Sequence, residues 1–330
     1  MKYLLVFILA SCGWGPFKKD TDPKPVSSTP PELVSKFDLY KSELAKNVDS
    51  HGLVVIDGSI GDSAIFSCLA RSAGAIKFDV SLLFTAKGKP IRHPDILPKV
   101  SKTPISRDMV EGILWCLLTH EDKTVALDII SKMISYGRAN STAGLWIFCD
   151  ADDVKDYKIE SDSYVGRCTM TPGVMKDAYR VAKILGYDCD TECTVAMGVG
   201  VNLPNNPTGF ERHLAVLTTV RNGITEGAIN DNSLKLLDSA AASQPNNALY
   251  LAAYHLFKDG DQSKAFELLG DLSRFPSDRL PSATEYCTGY LYQRDELEAD
   301  GSKNPDWLPC SGSTHSGADF MFAYYVATKK

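Results

Sequence analysis

Apolar positions along this chain recur at helical rather than strand spacing, and they fall into two kinds of segment. In the first kind nearly every position is apolar. Met109, Val110, Ile113, Leu114, Cys116, Leu117 and Leu118 leave almost no polar face, the pattern of a helix buried on several sides. Thr103 and Ser106 suit its N-cap, Pro104 its first helical position, and Asp108 places negative charge in its first turn. Small-residue helices of this kind are predicted to begin near Asp62, Asp108, Pro172, Glu211, Asn247 and Ser316, six in all. The second kind is amphipathic: Leu33, Phe37, Tyr40 and Leu44 over Pro31–Val48, and Val125, Ile129, Ile130 and Met133 over Lys123–Tyr136. Ser233–Ala242 and Gln262–Leu272 add further helices. Phe78–Val100, Arg138–Met170 and Arg274–Cys310 read as loop-rich connections. No run alternates as a strand does, so the class is all-α. Alternate helices of antiparallel hairpins point the same way, so the six apolar helices are expected to start on one rim. The N-terminal helix is expected to pack on the last one.

The start of the chain changes the picture of location. Lys2 and the apolar run Tyr3–Leu9 read as a signal segment too short to span a membrane. Leu9-Ala10-Ser11-Cys12 resembles the bacterial lipobox. That resemblance implies a signal peptide over residues 1–12, lipid modification at Cys12, and export to the envelope. Gly13 in place of Asp implies sorting to the outer membrane or its periplasmic face. Residues 13–31, with Pro23, Pro25, Pro30 and Pro31, read as an extended tether. Residues 32–330 then form one domain, with no second boundary in the Pro and Gly pattern.

The net charge of −6 and the lack of a basic stripe argue against a nucleic-acid partner. An exported chain with eight cysteines besides Cys12 permits disulfides. Cys149–Cys168 and Cys287–Cys310 each bracket a loop and are the expected pairs. Cys189 and Cys193 share one short turn, while Cys68 and Cys116 lie in apolar helical runs, where buried thiols are the alternative. With no CxxC and no His beside these pairs, neither metal nor cofactor is expected. The acidic run Asp150–Asp153 fails as a calcium loop, because Lys155 and Ser161 fall where an EF-hand needs Gly and Glu. GxSxG, Walker A, HExxH and GxGxxG motifs are all absent.

Six inner helices with long loops over one rim resemble the (α/α)6 toroid enzymes, the six-hairpin glycoside hydrolases and toroid polysaccharide lyases. The resemblance is architectural, spans residues 32–330 and rests on no family motif. It implies a glycan or other small-molecule ligand, with the membrane reached only through the lipid anchor. Inner-helix starts supply the candidates. Asp62, Asp108, His315 and Asp319 are the candidate catalytic groups, and Arg107, Glu211, His213 and Trp146 the candidate substrate contacts. Glycoside hydrolysis needs two carboxyls about 5–5.5 Å apart for retention or about 6.5–9.5 Å for inversion. Elimination from a uronide needs a base such as His or Tyr and a group to neutralise the sugar carboxylate, for which His213, His315, Tyr179 and Arg107 are available. Asp62 and Asp108 suit helix capping equally well, and His93 and His120 read as surface residues. The competing class is a non-catalytic helical scaffold or binding lipoprotein of the envelope.

Overall fold

The computed structural model describes residues 28–55, 60–96, 105–139, 146–147, 169–170, 172–188, 207, 209–281 and 317–329. Within them lie ten α-helices: α1 (Pro31–Leu44), α2 (Ser63–Ser72), α3 (Arg107–Leu118), α4 (Lys123–Ala139), α5 (Pro172–Ile184), α6 (Gly209–Glu226), α7 (Asp231–Ser243), α8 (Ala248–Lys258), α9 (Ser263–Gly270) and α10 (Ala318–Ala327). One two-residue antiparallel pair, β1 (Trp146–Ile147) with β2 (Thr169–Met170), accompanies them. The protein is all-α.

The two kinds of segment become two kinds of helix. Nine of ten residues are buried in α2, ten of twelve in α3 and eight of ten in α10. By contrast α4 buries a stripe, Ala126, Ile129, Ile130, Met133, Ile134, Tyr136 and Gly137, and α7 only Leu237, Ala240 and Ala241. Local starts follow the sequence in part. Asn247 caps α8 through Tyr250 N–H at 3.2 Å, and Asn230 caps α7 through Ser233 N–H at 2.9 Å. Ser106 takes the N-cap of α3 without a side-chain capping bond, and Arg107 is the first helical residue.

The apolar helices run side by side. Gly112 of α3 lies against Ile65 of α2, where an added Cβ would come within 2.9 Å of the Ile65 Cα. One turn on, Cys68 and Cys116 form a disulfide with Cα atoms 5.0 Å apart, and Ser72 Oγ meets Thr119 Oγ1 at 3.1 Å. Residues 65, 68 and 72 thus step forward with 112, 116 and 119, so α2 and α3 are parallel. The sequence had left buried thiols open for these two cysteines; the bond forms because the glycine lets the helices close up. Arg107 with Glu211 and Glu111 with Thr218 make α3 and α6 parallel by the same logic. Asp177 with Arg221 and Arg180 with Glu226 do so for α5 and α6.

Neighbours run from α2 to α3, α3 to α6, α6 to α8, α8 to α10 and α10 back to α2. The remaining helices flank them: α4 and α5 lie on each other and on α3, α7 on α6 and α8, α9 on α8 and α10, and α1 on α10 and α9. The core is one continuous cluster reaching from Leu33 to Ala327. Among the described residues no helix is long and apolar enough to cross a membrane.

Candidate functional site

A groove of about 250 Å³ runs along α5 and α6, with Arg107 at its mouth. From α6 it takes Glu211, Leu214, Ala215, Thr218, Thr219 and Asn222, and from α5 Lys176 and Asp177. The α6 residues recur at three- and four-residue intervals, so they form one stripe of the helix. The start of that stripe is charged and its middle carries hydroxyls.

Charge in the groove is organised around a guanidinium behind its wall. Arg221 has no exposed surface and binds two carboxyls at once, Glu111 through Nη1 and Asp177 Oδ1 through Nη2 at 3.0 Å. Thr218 Oγ1 donates to Glu111 Oε2 at 3.4 Å, while Glu111 Oε1 has no hydrogen-bond partner. Two carboxyls sharing one buried cation carry a surplus negative charge in a poor solvent for it. Burial therefore pushes the Glu111 carboxyl up to about 7, against the pull of Arg221 and with the push of Asp177. Burial raises Asp177 as well, and the two carboxyls hold the guanidinium firmly protonated. Glu111 and Asp177 titrate together, because both face the same guanidinium. At the mouth, Arg107 grips both oxygens of Glu211, one of them at 3.0 Å. Glu211 is half exposed there, so this pair adds little to stability and either partner is open to exchange with a ligand.

Of the residues the sequence singled out, Arg107 and Glu211 come together here. Asp62 occupies the N-cap of α2 without a side-chain capping bond. Asp108 is in the first turn of α3, with Oδ1 buried and unpartnered. His213 is buried on α6. Asp319 is buried at the start of α10, where burial pushes its carboxyl up to about 7; Oδ1 accepts from Phe320 N–H at 3.0 Å and Oδ2 has no partner. None of these four lines the groove. Trp146 belongs to β1, but its side chain lies outside the described residues. Cys12, Cys149, Cys168, Cys287, Cys310 and His315 lie outside them altogether. Histidine 93, expected at the surface, has no exposure.

Sequence reasoning missed Asp177, Glu111 and Arg221. The signal was available: Glu111 interrupts the apolar run of α3, and a charge in a fully buried helix demands a partner. A second concavity of about 370 Å³ lies against α4, where Asp128 and Lys132 pair at 2.6 Å. Comparisons of the chain with protein-family models, with curated proteins and with solved structures found no match.

Proposed function

We propose that this is a glycan-cleaving domain of an envelope lipoprotein, with the groove along α5 and α6 as its ligand site. The observation that carries the proposal is the presence of two carboxyls, Asp177 and Glu211, in one groove also lined by Arg107, Thr218, Thr219 and Asn222. Hydroxyl, amide and carboxyl groups match the alternating donors and acceptors of a sugar. Asp177, whose carboxyl burial raises, supplies the general acid, and Glu211 is the second carboxyl. Hydrolysis is favoured over elimination because the described lining contains two carboxyls and neither histidine nor tyrosine. Reducing-end assays on envelope polysaccharides test it. Asp177→Asn and Glu211→Gln are each expected to lose at least about 100-fold in turnover while keeping the native circular dichroism. Full turnover in both variants would return the groove to structure. The non-catalytic binding reading has one observation in its favour, the mutual satisfaction of Arg107 and Glu211. It predicts ligand binding by the wild type with no new reducing ends.

The (α/α)6 toroid belongs to the same proposal, with α2, α3, α5, α6, α8 and α10 as inner helices. The parallel pairs α2–α3, α3–α6 and α5–α6 support it, as does a closed run of neighbours through α2, α3, α6, α8 and α10, beside which α5 packs on α3 and α4. Export and lipidation at Cys12 belong to it too. The Cys68–Cys116 disulfide supports an oxidising compartment. Cys12→Ala is expected to shift the protein from the membrane to the soluble fraction on cell fractionation. Unchanged membrane retention would remove the lipoprotein reading.

A further inference from the structure

Two short segments far apart in sequence are mirror images of one another: Asp49-Ser50-His51 and His93-Pro94-Asp95. The fold brings them face to face outside the groove, on a turn closed by the Val48–Val54 bridge and on a turn ending at Ile96. Asp49 is fixed first. Its Oδ1 accepts the backbone N–H groups of His51 and Leu53, both at 2.9 Å, which leaves Oδ2 aimed away from its own turn. His93, wholly buried, accepts the Asp95 N–H at Nδ1 (3.2 Å), so its proton resides on Nε2 and is donated to Asp49 Oδ2 at 2.8 Å. On the open side, His51 Nε2 lies 3.1 Å from Asp95 Oδ1. One donor atom from each of Asp49, His51 and Asp95 lies within 4.8 Å of the other two.

We propose that Asp49, His51 and Asp95 bind one divalent transition-metal ion, with zinc the best match, and that His93 orients the Asp49 carboxylate from behind. One imidazole nitrogen and two carboxylate oxygens are ligands that zinc and its first-row neighbours take, whereas magnesium and calcium sites are built from oxygen alone. The burial of His93 is the independent observation. A surface pair of charges has no use for a fully buried imidazole with both nitrogens committed, but a ligand carboxylate is held in just this way by an outer-shell hydrogen bond. Half-buried His51 and exposed Asp95 would close over the ion from the solvent side, leaving at least one coordination position open to water. Spacing along the sequence pointed away from metal, because no CxxC and no His accompanies the cysteines. Here the ligands come from two turns that only the fold joins.

The experiment is a zinc titration of the full chain by calorimetry, alongside thermal unfolding with and without zinc. Wild type is expected to take up one equivalent at this site and to unfold at a higher temperature when loaded. His51→Ala and Asp95→Asn, both on the exposed side, are expected to unfold normally without metal and to lose both effects. His93→Gln is expected to weaken binding by about 10–100-fold. The proposal is overturned if zinc leaves the wild-type Tm unchanged. It is overturned equally if zinc uptake and the Tm rise survive in both His51→Ala and Asp95→Asn, which would assign the metal to other residues. Should His51→Ala fail to fold, Asp95→Asn alone decides. Failure of the glycan reading would leave this result untouched, since the two sites share no residue.

Discussion

At Glu111 a carboxyl stands in the middle of an otherwise apolar helix, facing a guanidinium with no exposure. Its pH response has a definite sign. The ordinary value is 4.5 and the folded value about 7, so between those limits the native state holds a proton that the unfolded state has released. Folding stability attributable to this group therefore falls as pH rises through that window. Asp319, also raised to about 7 by burial, acts in the same direction. Glu111→Gln removes the ionisation and keeps the shape. Its stability relative to wild type, from urea unfolding, is expected to improve by roughly 1–3 kcal/mol between pH 5 and pH 8. Asp319→Asn is expected to do likewise. A constant difference across the pH range would mean that both carboxyls are ionised throughout. These residues also mark the limit of the sequence. Glu111 and Arg221 each announce a buried charge in need of a partner, but periodicity on α3 cannot say which helix supplies it. Arg107 and Glu211 were legible as residues at helix starts, because such positions are local facts. That they bind each other is not.

Among the elements, the α2–α3 pair was the easiest to read and holds the most surprising bond. Both helices were predicted from apolarity all round, which is a local signal that burial then uses on several faces. What periodicity does not encode is the register between them. That register is set where Gly112 admits Ile65, and it places Cys68 opposite Cys116. The bond closes a loop with a sequence separation of 48, so the chain-entropy estimate of its contribution is about 4 kcal/mol. The double variant Cys68→Ala/Cys116→Ala is expected to lose stability of that order in denaturant unfolding, with the extra cost of two small cavities. Thiol titration of the unreduced, urea-unfolded chain should leave this pair unreactive. If peptide mapping recovers both as free thiols, the close approach of α2 and α3 is held by packing alone. The smaller elements were harder. The β1–β2 pair is two residues long, too short for any alternation to reveal, and the Asp49 and His93 turns carry no periodic signal at all.

For the whole molecule, α1 joins the beginning of the helical body to its end. The sequence anticipated this, because an amphipathic first helix needs an apolar surface, and the last helix is apolar all round with no partner next to it in sequence. The contact is made by ring on ring, Phe37 on Tyr324 at 4.8 Å and Tyr40 on Phe320 at 4.5 Å. Lys36 fastens the other flank. Its Nζ donates to the carbonyls of Leu269 and Gly270 at 2.9 and 3.3 Å, the end of α9, where a cation suits the helix dipole. Burial lowers that amine to about 8, so it still carries its charge at neutral pH. Leu33, Tyr40 and Leu44 are fully buried in this seam. At about 1.5–3 kcal/mol each, their burial alone amounts to much of the ~5–15 kcal/mol that holds a typical domain folded. Removal of α1 should consequently be felt far beyond the N-terminus, because α10 also packs on α2 and α8. A chain beginning at Val48 is expected to unfold at least about 10 °C below the full chain, or without a cooperative transition, when followed by circular dichroism. A peptide covering residues 28–48, added in trans, is expected to restore part of the loss. If the shortened chain instead unfolds cooperatively within a few degrees of the full one, α10 is held by α2 and α8 alone, and α1 is an attachment to a ring that closes without it.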